Sequence, residues 1–395
     1  MPKNAEGGYI NLSGVSLFWS GPFLSNSGFS KMNREIVKNL CRMGARVKAE
    51  IVTTERQIPD KDIMLIEKMA FEDIDPRSPR VFGMTMPQTM PWTSARIMYT
   101  MIETSNSVHK EYAERSNLAS EIWVPNKYLA DIMKSSGVEV PIFVMPLGVD
   151  HRIFRPGIKP MKLPDCKRFK FLSLFWWSYR KGYDILLKAY LNEFSSDDDV
   201  TLVISTKQHP AGKQSTIKSI ASEIAGFVKA SGNPKPPSIV LHSEHMTEEK
   251  LASLYAACNA FVLPSRGEGF GLMYAEAGAC GLPVIATYCT AQTDFLDDST
   301  AYLVRPEGYN RESESSLSGG RLAKWCRFYE GQEFPVFGKK AVAELGQAMR
   351  SAFENRKEAQ GKAQAFRKRI LNGLTWEHAA ARIGRRIIEI QGGTQ

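Results

Sequence analysis

Two glutamates, Glu268 and Glu276, lie eight positions apart in SRGEGFGLMYAEAGACGLPVIAT, which covers residues 265–287. Glu276 is the only charged residue in GLMYAEAGAC, a stretch of helical length that is apolar around its whole circumference. Such a helix is expected to be buried, and a buried carboxylate is costly unless it is paired. An internal Arg or Lys could pair with it, and so could a ligand with two hydroxyl donors, such as a ribose 2′,3′-diol. A helix-edge position that reaches solvent is the remaining alternative.

The residues around Glu268 predict a ligand site. AFVLPS (260–265) and LPVIAT (282–287) are strand-like, and the chain between them is long enough for a turn and a helix. Glu268 then lies at the carboxyl end of a parallel strand, where open α/β sheets bind ligands. Gly269 and Gly271 let the backbone approach a ligand closely, and the helix start offers N–H groups suited to a phosphate.

The strands that must position these residues form two series. The first is predicted at 15–20, 47–54, 81–86, 95–102, 121–126 and 141–146, and the second at 169–175, 200–206, 238–243, 260–265, 282–287 and 301–304. Helical segments separate most of them, including one at about 30–43, which predicts parallel sheets with helices on both faces. A Pro- and Lys-rich segment, 154–170, has the composition of a linker, so we place a domain boundary at about 155–168. The last helix, at about 375–391, has Thr375 as its candidate N-cap.

Composition restricts the class of protein. The 395 residues favour two domains, and the longest apolar runs, of about ten residues, are too short to span a bilayer. The N-terminus has no apolar signal core. Six scattered cysteines predict buried, reduced thiols of a cytoplasmic protein: Cys41, Cys166, Cys258, Cys280, Cys289 and Cys326. The net charge of +9 suggests an anionic partner, namely nucleotide phosphates, anionic lipid, nucleic acid or an acidic glycan.

Five segments in order carry a family resemblance. E-G-F-G-L-x-x-x-E, followed by A-x-G-x-P-V-I-A-T, closely resembles the E-x7-E signature of retaining glycosyltransferases of the family 4 type, which have the GT-B fold. Residues 144–157 resemble the interdomain segment of that family, 171–194 its phosphate-binding strand and helix, 248–271 the run into the motif, and 375–383 its C-terminal helix. The resemblance covers essentially all of the C-terminal half and, more loosely, the N-terminal half.

The resemblance implies an α/β architecture of two Rossmann-like domains that face each other across a cleft. Residues 1–157 would form the acceptor-binding domain, to which the helix at about 375–391 crosses back. Residues 165–374 would bind a nucleotide-sugar. The implied activity moves a hexose or N-acetylhexosamine from a nucleotide-diphosphate sugar, most commonly a UDP- or GDP-sugar, to a hydroxyl of a glycan, glycolipid or small glycoside.

The resemblance also implies roles for individual residues. Glu276 would hold the ribose hydroxyls, and Glu268 would accept hydrogen bonds from the donor sugar. Lys181 would contact the diphosphate, with Arg180 beside it. The family commonly has a further Arg five or six positions before that Lys, where this chain has Phe175 and Trp176, and Arg180 is the candidate substitute. The backbone amides expected near the donor belong to Gly269, Phe270, Gly271 and Leu272.

Other candidates are less specific. The base is expected near Ser243, Glu244 and His245, which follow the strand at 238–243. In the loop between the first strand and first helix, Gly21 and Gly28 are candidates for close approach to phosphate and acceptor. Glu103 follows a strand and could bind the acceptor or the donor sugar, or it could be a helix-start carboxylate favoured by the dipole. His109 lies nearby, out of register with the usual histidine of the family.

No obligatory metal is expected. Asp73 and Asp75 have Asp-x-Asp spacing but lie in a turn-rich segment, where capping is the simpler role, and 197–199 is a candidate solvated loop. No His/Cys cluster has zinc spacing. The expected partners are the donor and a glycan or lipid-linked acceptor, and the expected location is the cytoplasm, with peripheral contact to anionic membrane possible for the basic C-terminal helices.

Two alternatives remain at this level. A glycosyltransferase that modifies nucleic acid or protein is compatible with the charge, although no nucleic-acid-reading motif is present. A non-catalytic nucleotide-sugar-binding protein is the other, and the presence of Glu268, Glu276 and Lys181 together argues against it. The sequence leaves open the oligomeric state, the linkage formed and the role of the polar insertion at 306–335.

Overall fold

The computed structural model describes residues 11–52, 56–84, 96–207, 216–244, 246–311 and 332–392. Packing divides the chain into two units. The first consists of Met1–Ile102, Ser107–Asp150 and Asn372–Gln395, and the second of Glu103–Asn106 and His151–Leu371. Residues 151–157 therefore pack with the second unit and residues 372–374 with the first.

The described strands alternate with helices along most of the chain. The strands are β1 Ser16–Gly21, β2 Arg46–Ile51, β3 Arg80–Gly83, β4 Arg96–Tyr99, β5 Glu121–Val124, β6 Ile142–Val144, β7 Phe169–Trp176, β8 Val200–Lys207, β9 Ser238–His242, β10 Ala260–Leu263, β11 Val284–Thr287, β12 Tyr302–Val304, β13 Gly308–Arg311 and β14 Glu333–Val336. The helices are α1 Gly28–Arg42, α2 Asp60–Ala70, α3 Lys110–Ser116, α4 Lys127–Ser135, α5 Tyr183–Glu193, α6 Ile217–Ser231, α7 Glu248–Ala256, α8 Leu272–Ala279, α9 Lys339–Glu354, α10 Arg356–Gly373 and α11 Trp376–Gly392.

Within the described part of the first unit, six strands form one parallel sheet in the order β2-β1-β3-β4-β5-β6. The side chains of β5 are all buried, as expected for parallel strands covered on both faces. Helix α1 begins where the Ser27 hydroxyl accepts a hydrogen bond from the backbone N–H of Ser30, a normal N-cap.

Helix α11 belongs to this first unit although it follows the whole second unit in the chain. It packs against α1, and Gly384 allows the approach, because a Cβ there would lie 2.5 Å from Leu12 Cδ1. Arg386 binds Glu121 at the start of β5, with Nη2 2.6 Å from Oε2, and its guanidinium lies 4.0 Å from the centre of the Phe143 ring. The C-terminal helix is therefore fastened to the first unit by apolar packing and a buried charge contact.

In the described residues of the second unit, another parallel sheet of six strands has the order β12-β11-β10-β7-β8-β9. β7 and β10 are neighbours in its centre, so the loops that follow them leave the same edge of the sheet. All four residues of β10 and all four of β11 are buried. The predicted parallel α/β sheets are confirmed in both units.

Helix α8, which carries Glu276, packs against α10. A Cβ on Gly278 would lie 2.3 Å from Phe366 Cδ1, so glycine is needed for this contact. Arg367 Nε donates to the carbonyl of Ala279, 3.3 Å away, which places a cation at the negative end of the helix. Lys362 and Arg369 likewise donate to backbone carbonyls, those of Asp298 and Phe295. Part of the basic C-terminal charge therefore serves internal packing.

Two short strands at the ends of the 306–335 region pair in an antiparallel manner. Strands β13 and β14 pair from Gly308 opposite Val336 to Arg311 opposite Glu333, and residues 312–331 between them lie outside the described part. The thiols of Cys41, Cys166, Cys258, Cys280 and Cys289 are free; Cys258 and Cys289 are buried and the others are partly exposed. No helix in the described residues has both the length and the apolar character needed to cross a bilayer.

Candidate active site

Two loops meet at the carboxyl edge of the second sheet. The first is the 3₁₀ turn Tyr179–Lys181 that follows β7, and the second is the segment 264–271 that follows β10. The backbone N–H of Arg266 donates to the carbonyl of Arg180 at 2.7 Å. A Cβ on Gly182, whose φ is +72°, would lie 1.9 Å from the carbonyl oxygen of Pro264. The left-handed backbone and close approach at Gly182 therefore require glycine.

The central charge pair of the site is Lys181 with Glu268. Lys181 Nζ lies 2.6 Å from Glu268 Oε1, and the side chains are 9% and 5% exposed. Burial lowers the pKa of Lys181, and the Glu268 carboxylate partly offsets this effect. The predicted phosphate-binding lysine and the first glutamate of the motif are therefore in direct contact.

Arg180 makes a second ion pair in the same place. Its Nη2 lies 3.3 Å from Oε1 of Glu103, and its Nη1 donates to the carbonyl of Gly267. Glu103 lies in the loop after β4, well before the start of α3, so the alternative role as a helix-start carboxylate is wrong. The helix start belongs to His109, whose Nδ1 accepts a hydrogen bond from the Glu111 N–H at 3.2 Å.

The two helices that begin at the site, α5 and α8, each have a glycine as the N-cap residue. The N-cap residues of α5 and α8 are Gly182 and Gly271, both left-handed, and neither helix start receives a side-chain cap. The first N–H groups of a helix have no partner within the helix, and they carry the positive end of its dipole. Two such helix starts next to Arg180 and Lys181 form an environment suited to an anion.

Aromatic residues occupy the positions before the turn where a further arginine was expected. The Phe175 ring stacks on Trp177 with centroids 5.8 Å apart, and Trp177 stacks on Tyr183 at 4.3 Å. Trp177 Nε1 donates to Glu223 Oε2 at 2.8 Å. Phe175 and Trp177 are buried and Trp176 is partly exposed. These rings join the end of β7 to α5 and α6 and so support the turn that carries the two cations.

Glu276 is buried on α8, with 4% of its surface exposed. The hydroxyl of Tyr255 on α7 donates to its Oε2 at 3.2 Å. Burial, reinforced by the charge of Glu276, holds the pKa of Tyr255 well above its usual value, so this hydroxyl remains a donor. The alternative of a solvent-exposed helix edge is wrong. A carboxylate has about four acceptor positions, and the Tyr255 hydroxyl occupies one of those of Glu276.

A strained residue supports the backbone at Glu268. Thr290 has a φ of +57°, which is costly for a β-branched residue. Its hydroxyl accepts from the N–H of Glu268 at 3.0 Å and donates to Gln292 Oε1 at 3.0 Å. The strain is therefore located where the chain orients the first glutamate of the motif.

The remaining donor-side candidates lie around this centre. Gly269 and Gly271 are in the loop, and Leu272 begins α8. The Phe270 ring is buried against Phe295 with centroids 5.2 Å apart, so only its backbone can serve a ligand. Ser243 and Glu244 are exposed after β9, at the far edge of the sheet from β12, and His245 lies outside the described residues.

The glycines of the first unit have different surroundings. A Cβ on Gly21 would lie 2.5 Å from Asn33 Nδ2 and 2.7 Å from the Gly83 carbonyl. Asn33 also accepts from Trp19 Nε1 at 2.9 Å, so the close approach at Gly21 serves internal packing. Gly28 is the first residue of α1, and its Cβ position has nothing within 4 Å, so a ligand could approach Gly28.

The acidic pairs outside the site have structural partners. Asp75 accepts from the backbone N–H of Arg77 at 2.9 Å and binds its side chain, as predicted for a turn cap, and these contacts lower its pKa to about 2. In the 197–199 loop, Asp198 binds Arg350 at 2.6 Å. Among the residues described, no group of three or more His, Cys, Asp or Glu side chains has the arrangement of a metal site.

Sequence reasoning missed several residues of this site, above all Arg266 and Asp184. Arg266 Nη1 and Nη2 bind the two carboxylate oxygens of Asp184 at 2.8 and 2.9 Å. A charged residue directly after a buried strand was a visible signal, but its partner, in the first turn of α5, could not be inferred from spacing. The contacts of Tyr255 and Thr290 were also missed, because neither residue type is distinctive.

Comparison with known proteins shows that the segment containing this site is similar to a known family. Residues 167–314, which include both cations and both glutamates, match the model described as "Glycosyl transferases group 1". This part of the chain is therefore similar to a group 1 glycosyl transferase domain. The resemblance to family 4 glycosyltransferases seen in the sequence is thereby confirmed.

Curated proteins similar to this chain have names that agree with the match to the family model. A D-inositol 3-phosphate glycosyltransferase from an Arthrobacter species is 32% identical over 151 residues, which cover 37% of this chain and 34% of the relative. A GDP-mannose-dependent monoacylated alpha-(1-6)-phosphatidylinositol monomannoside mannosyltransferase from Corynebacterium glutamicum is 26% identical over 205 residues, covering 48% of this chain and 50% of the relative. The chain thus matches these relatives over only a third to a half of their length.

Solved structures match the fold across nearly the whole of this chain. Sucrose-phosphate synthase from Thermosynechococcus elongatus superposes with a TM-score of 0.67 at 16% identity, covering 96% of this chain and 100% of that one. Anabaena HepE in complex with UDP and glucose has a TM-score of 0.62 at 12% identity, with coverage of 95% and 100%. The fold is therefore GT-B, as predicted.

Proposed function

We propose that this protein is a retaining glycosyltransferase that moves a hexose or N-acetylhexosamine from a nucleotide-diphosphate sugar to a hydroxyl acceptor. The observation that carries the proposal is the contact of Lys181 with Glu268, beside Arg180 and on the same loop-helix unit as Glu276. These four charged groups lie at the carboxyl edge of a parallel sheet, where ligands of α/β proteins bind.

Each part of a nucleotide-sugar has a chemically suitable partner in this set. The diphosphate suits Arg180, Lys181 and the glycine-capped starts of α5 and α8. The ribose diol suits Glu276, whose carboxylate is buried and already accepts one hydroxyl from Tyr255. The donor sugar, attached to the diphosphate, would then lie near Glu268 and within reach of its carboxylate oxygens.

The proposed reaction needs no protein nucleophile. The bond between the sugar C1 and the diphosphate oxygen breaks, and the electron pair leaves with the diphosphate. The acceptor oxygen bonds to C1 on the same face, and its proton passes to the diphosphate oxygen. Arg180, Lys181 and the two helix starts stabilise the negative charge that develops on the leaving group. Glu268 orients the sugar and holds Lys181 in place.

The donor and acceptor classes are proposed from chemistry and relatives together. One relative is named for GDP-mannose, and HepE was solved with UDP, so a UDP- or GDP-sugar is the proposed donor. Relatives are named for inositol phosphate and a phosphatidylinositol mannoside, which supports a glycan or lipid-linked hydroxyl acceptor for this chain.

A donor panel tests the proposal. The full chain is incubated with UDP- and GDP-sugars, with and without candidate acceptors, and release of the nucleoside diphosphate is measured. One donor should be turned over faster with an acceptor present and should raise the melting temperature more than its bare nucleotide. Binding without turnover on any acceptor would favour a non-catalytic binding protein, and turnover that requires duplex DNA would favour a nucleic-acid acceptor.

A further inference from the structure

Arg266 is buried inside the site, and its charge is paired with a carboxylate of the same chain. The residue is 3% exposed, and its guanidinium forms a two-point contact with the Asp184 carboxylate at 2.8 and 2.9 Å. Such a fork-to-carboxylate pair fixes both position and orientation. A guanidinium already bound to a carboxylate in this way is poorly suited to receive a phosphate directly.

The same guanidinium also holds the turn that presents the two cations. Its Cζ lies over the Tyr179 ring, 3.7 Å from the ring centre, and Nη1 donates to the Tyr179 carbonyl at 2.7 Å. The backbone N–H of Arg266 donates to the Arg180 carbonyl at 2.7 Å. Arg266 therefore contacts the first two residues of the turn, Tyr179 and Arg180, from which the chain continues to Lys181.

Asp184 completes this arrangement from the other side. It lies in the first turn of α5, two residues after Gly182, where the turn closely approaches the carbonyl of Pro264. The Arg266–Asp184 pair thus joins the loop after β10, the turn after β7 and the start of α5. A small displacement of any of these elements would move both cations relative to the start of α8.

We propose that Arg266, with Asp184, is a positioning residue that sets Arg180 and Lys181 in the geometry needed for a diphosphate. This inference rests on the proposed function. It assigns the specificity for the second phosphate of the nucleotide to a side chain that does not itself contact the ligand. Removing the pair should therefore weaken the binding of nucleoside diphosphates selectively. The affinity for nucleoside monophosphates should remain nearly unchanged.

The test compares diphosphate with monophosphate binding in Arg266→Lys and Asp184→Asn. Lysine keeps the charge but cannot form the planar fork or place a guanidinium over the Tyr179 ring. Isothermal titration calorimetry with UDP and UMP, or with GDP and GMP if the wild-type protein binds the guanine nucleotides, gives both affinities. We expect about a tenfold loss of diphosphate affinity, the equivalent of one charge-assisted hydrogen bond, with monophosphate affinity within about twofold of wild type.

Arg350→Lys is the matched control. Arg350 binds Glu193 and Asp198 and lies over the Phe194 ring at 4.3 Å, so it makes the same kinds of contact at the opposite end of α5. Its replacement should lower the melting temperature and leave the ratio of diphosphate to monophosphate affinity unchanged. Retained monophosphate binding shows that the site of each variant is folded.

The outcomes separate the inference from the proposed function. An unchanged affinity ratio in both Arg266→Lys and Asp184→Asn overturns the inference alone, as does a shift in Arg350→Lys as large as that in Arg266→Lys. Failure of the wild-type protein to bind any of the nucleotides overturns the proposed function and the inference with it. In a working assay, the positioning role further requires that Arg266→Lys raise the KM of the nucleotide-sugar and also lower kcat, because Arg180 and Lys181 contact the diphosphate before and during transfer.

Discussion

Lys181 and Glu268 form a buried ion pair, with Nζ 2.6 Å from Oε1. A buried ion pair is weak evidence for stability, because the desolvation of two charges offsets their attraction. An apolar pair of similar volume would often hold the fold as well. The pair is better explained by a ligand that uses both charges, the lysine towards a phosphate and the carboxylate towards sugar hydroxyls.

Removing one charge of this pair should lower the free energy of unfolding considerably, whereas removing both charges should lower it much less. Lys181→Met and Glu268→Gln are each expected to lower the free energy of unfolding by about 3 kcal/mol, since each leaves one buried charge without its partner. The double variant should lose clearly less than the sum of the two. Equilibrium urea denaturation of all four proteins measures the coupling, and additive losses would contradict a direct interaction.

The lowered pKa of Lys181 predicts proton uptake when a nucleoside diphosphate binds. Burial favours the neutral amine, so the free protein loses this proton at a lower pH than an exposed lysine does. A bound diphosphate favours the charged form and raises the pKa again. Affinity should therefore fall as pH rises through the lowered pKa. Calorimetry in buffers of different ionisation enthalpy measures the uptake. Lys181→Arg, which stays charged, should abolish it, and equal uptake in that variant would assign it to another group.

Glu276 is expected to distinguish ribonucleotides from 2′-deoxynucleotides. The wild-type protein should bind the ribonucleoside diphosphate about tenfold more tightly than its 2′-deoxy analogue, the value of a hydrogen bond to a charged group. Glu276→Ala should bind both with the same low affinity. Tyr255→Phe is the control, because it removes a donor but keeps the carboxylate, and it should retain the discrimination. A Glu276→Ala protein that still prefers the ribose form would exclude the assignment.

Glu103 should act as a competitor of the diphosphate for Arg180. The pair is about a quarter exposed, so its contribution is on the order of 0.2–1 kcal/mol. Glu103→Gln removes the competing charge and should raise nucleoside diphosphate affinity by up to about fivefold. The gain in affinity should vanish in the Arg180→Gln background, because the arginine for which Glu103 and the diphosphate compete is absent. Reduced affinity in Glu103→Gln would indicate instead that Glu103 supports the donor site.

Glu121 should contribute to stability through α11. It accepts from Trp123 Nε1 at 2.7 Å and from the Arg386 fork, so Glu121→Ala leaves two donors without their acceptor and should cost about 2 kcal/mol. Glu389→Ala removes the exposed partner of the same arginine and should cost less than about 0.5 kcal/mol. Thermal unfolding compares the two, and equal effects would refute the buried contact.

The sheets and the motif could be predicted because local patterns determine them. Buried parallel strands are short apolar runs, and all twelve predicted strands are present, with shifts of a few residues at their ends. Burial of Glu276 followed from the apolar circumference of its helix. These properties depend on neighbours in sequence, so a single chain is enough to show them.

The contacts within the site could not be predicted, because they join distant segments. Arg266 meets Asp184 across 82 positions and Lys181 meets Glu268 across 87. The left-handed backbone of Thr290 has no signal in its residue type, since threonine avoids that region. Gly21 illustrates the converse case, in which a glycine expected to approach a ligand instead accommodates Asn33.

The attachment of α11 to the first unit has a consequence for synthesis of the chain. Every residue of the second unit precedes residue 372, so on the ribosome that unit can be complete while the first still lacks the helix that covers α1 and binds Glu121. An N-terminal domain usually matures first, but here the first unit can be completed only after the residues of the second have been made. Until translation reaches the last helix, the growing polypeptide exposes an apolar face that a chaperone could protect.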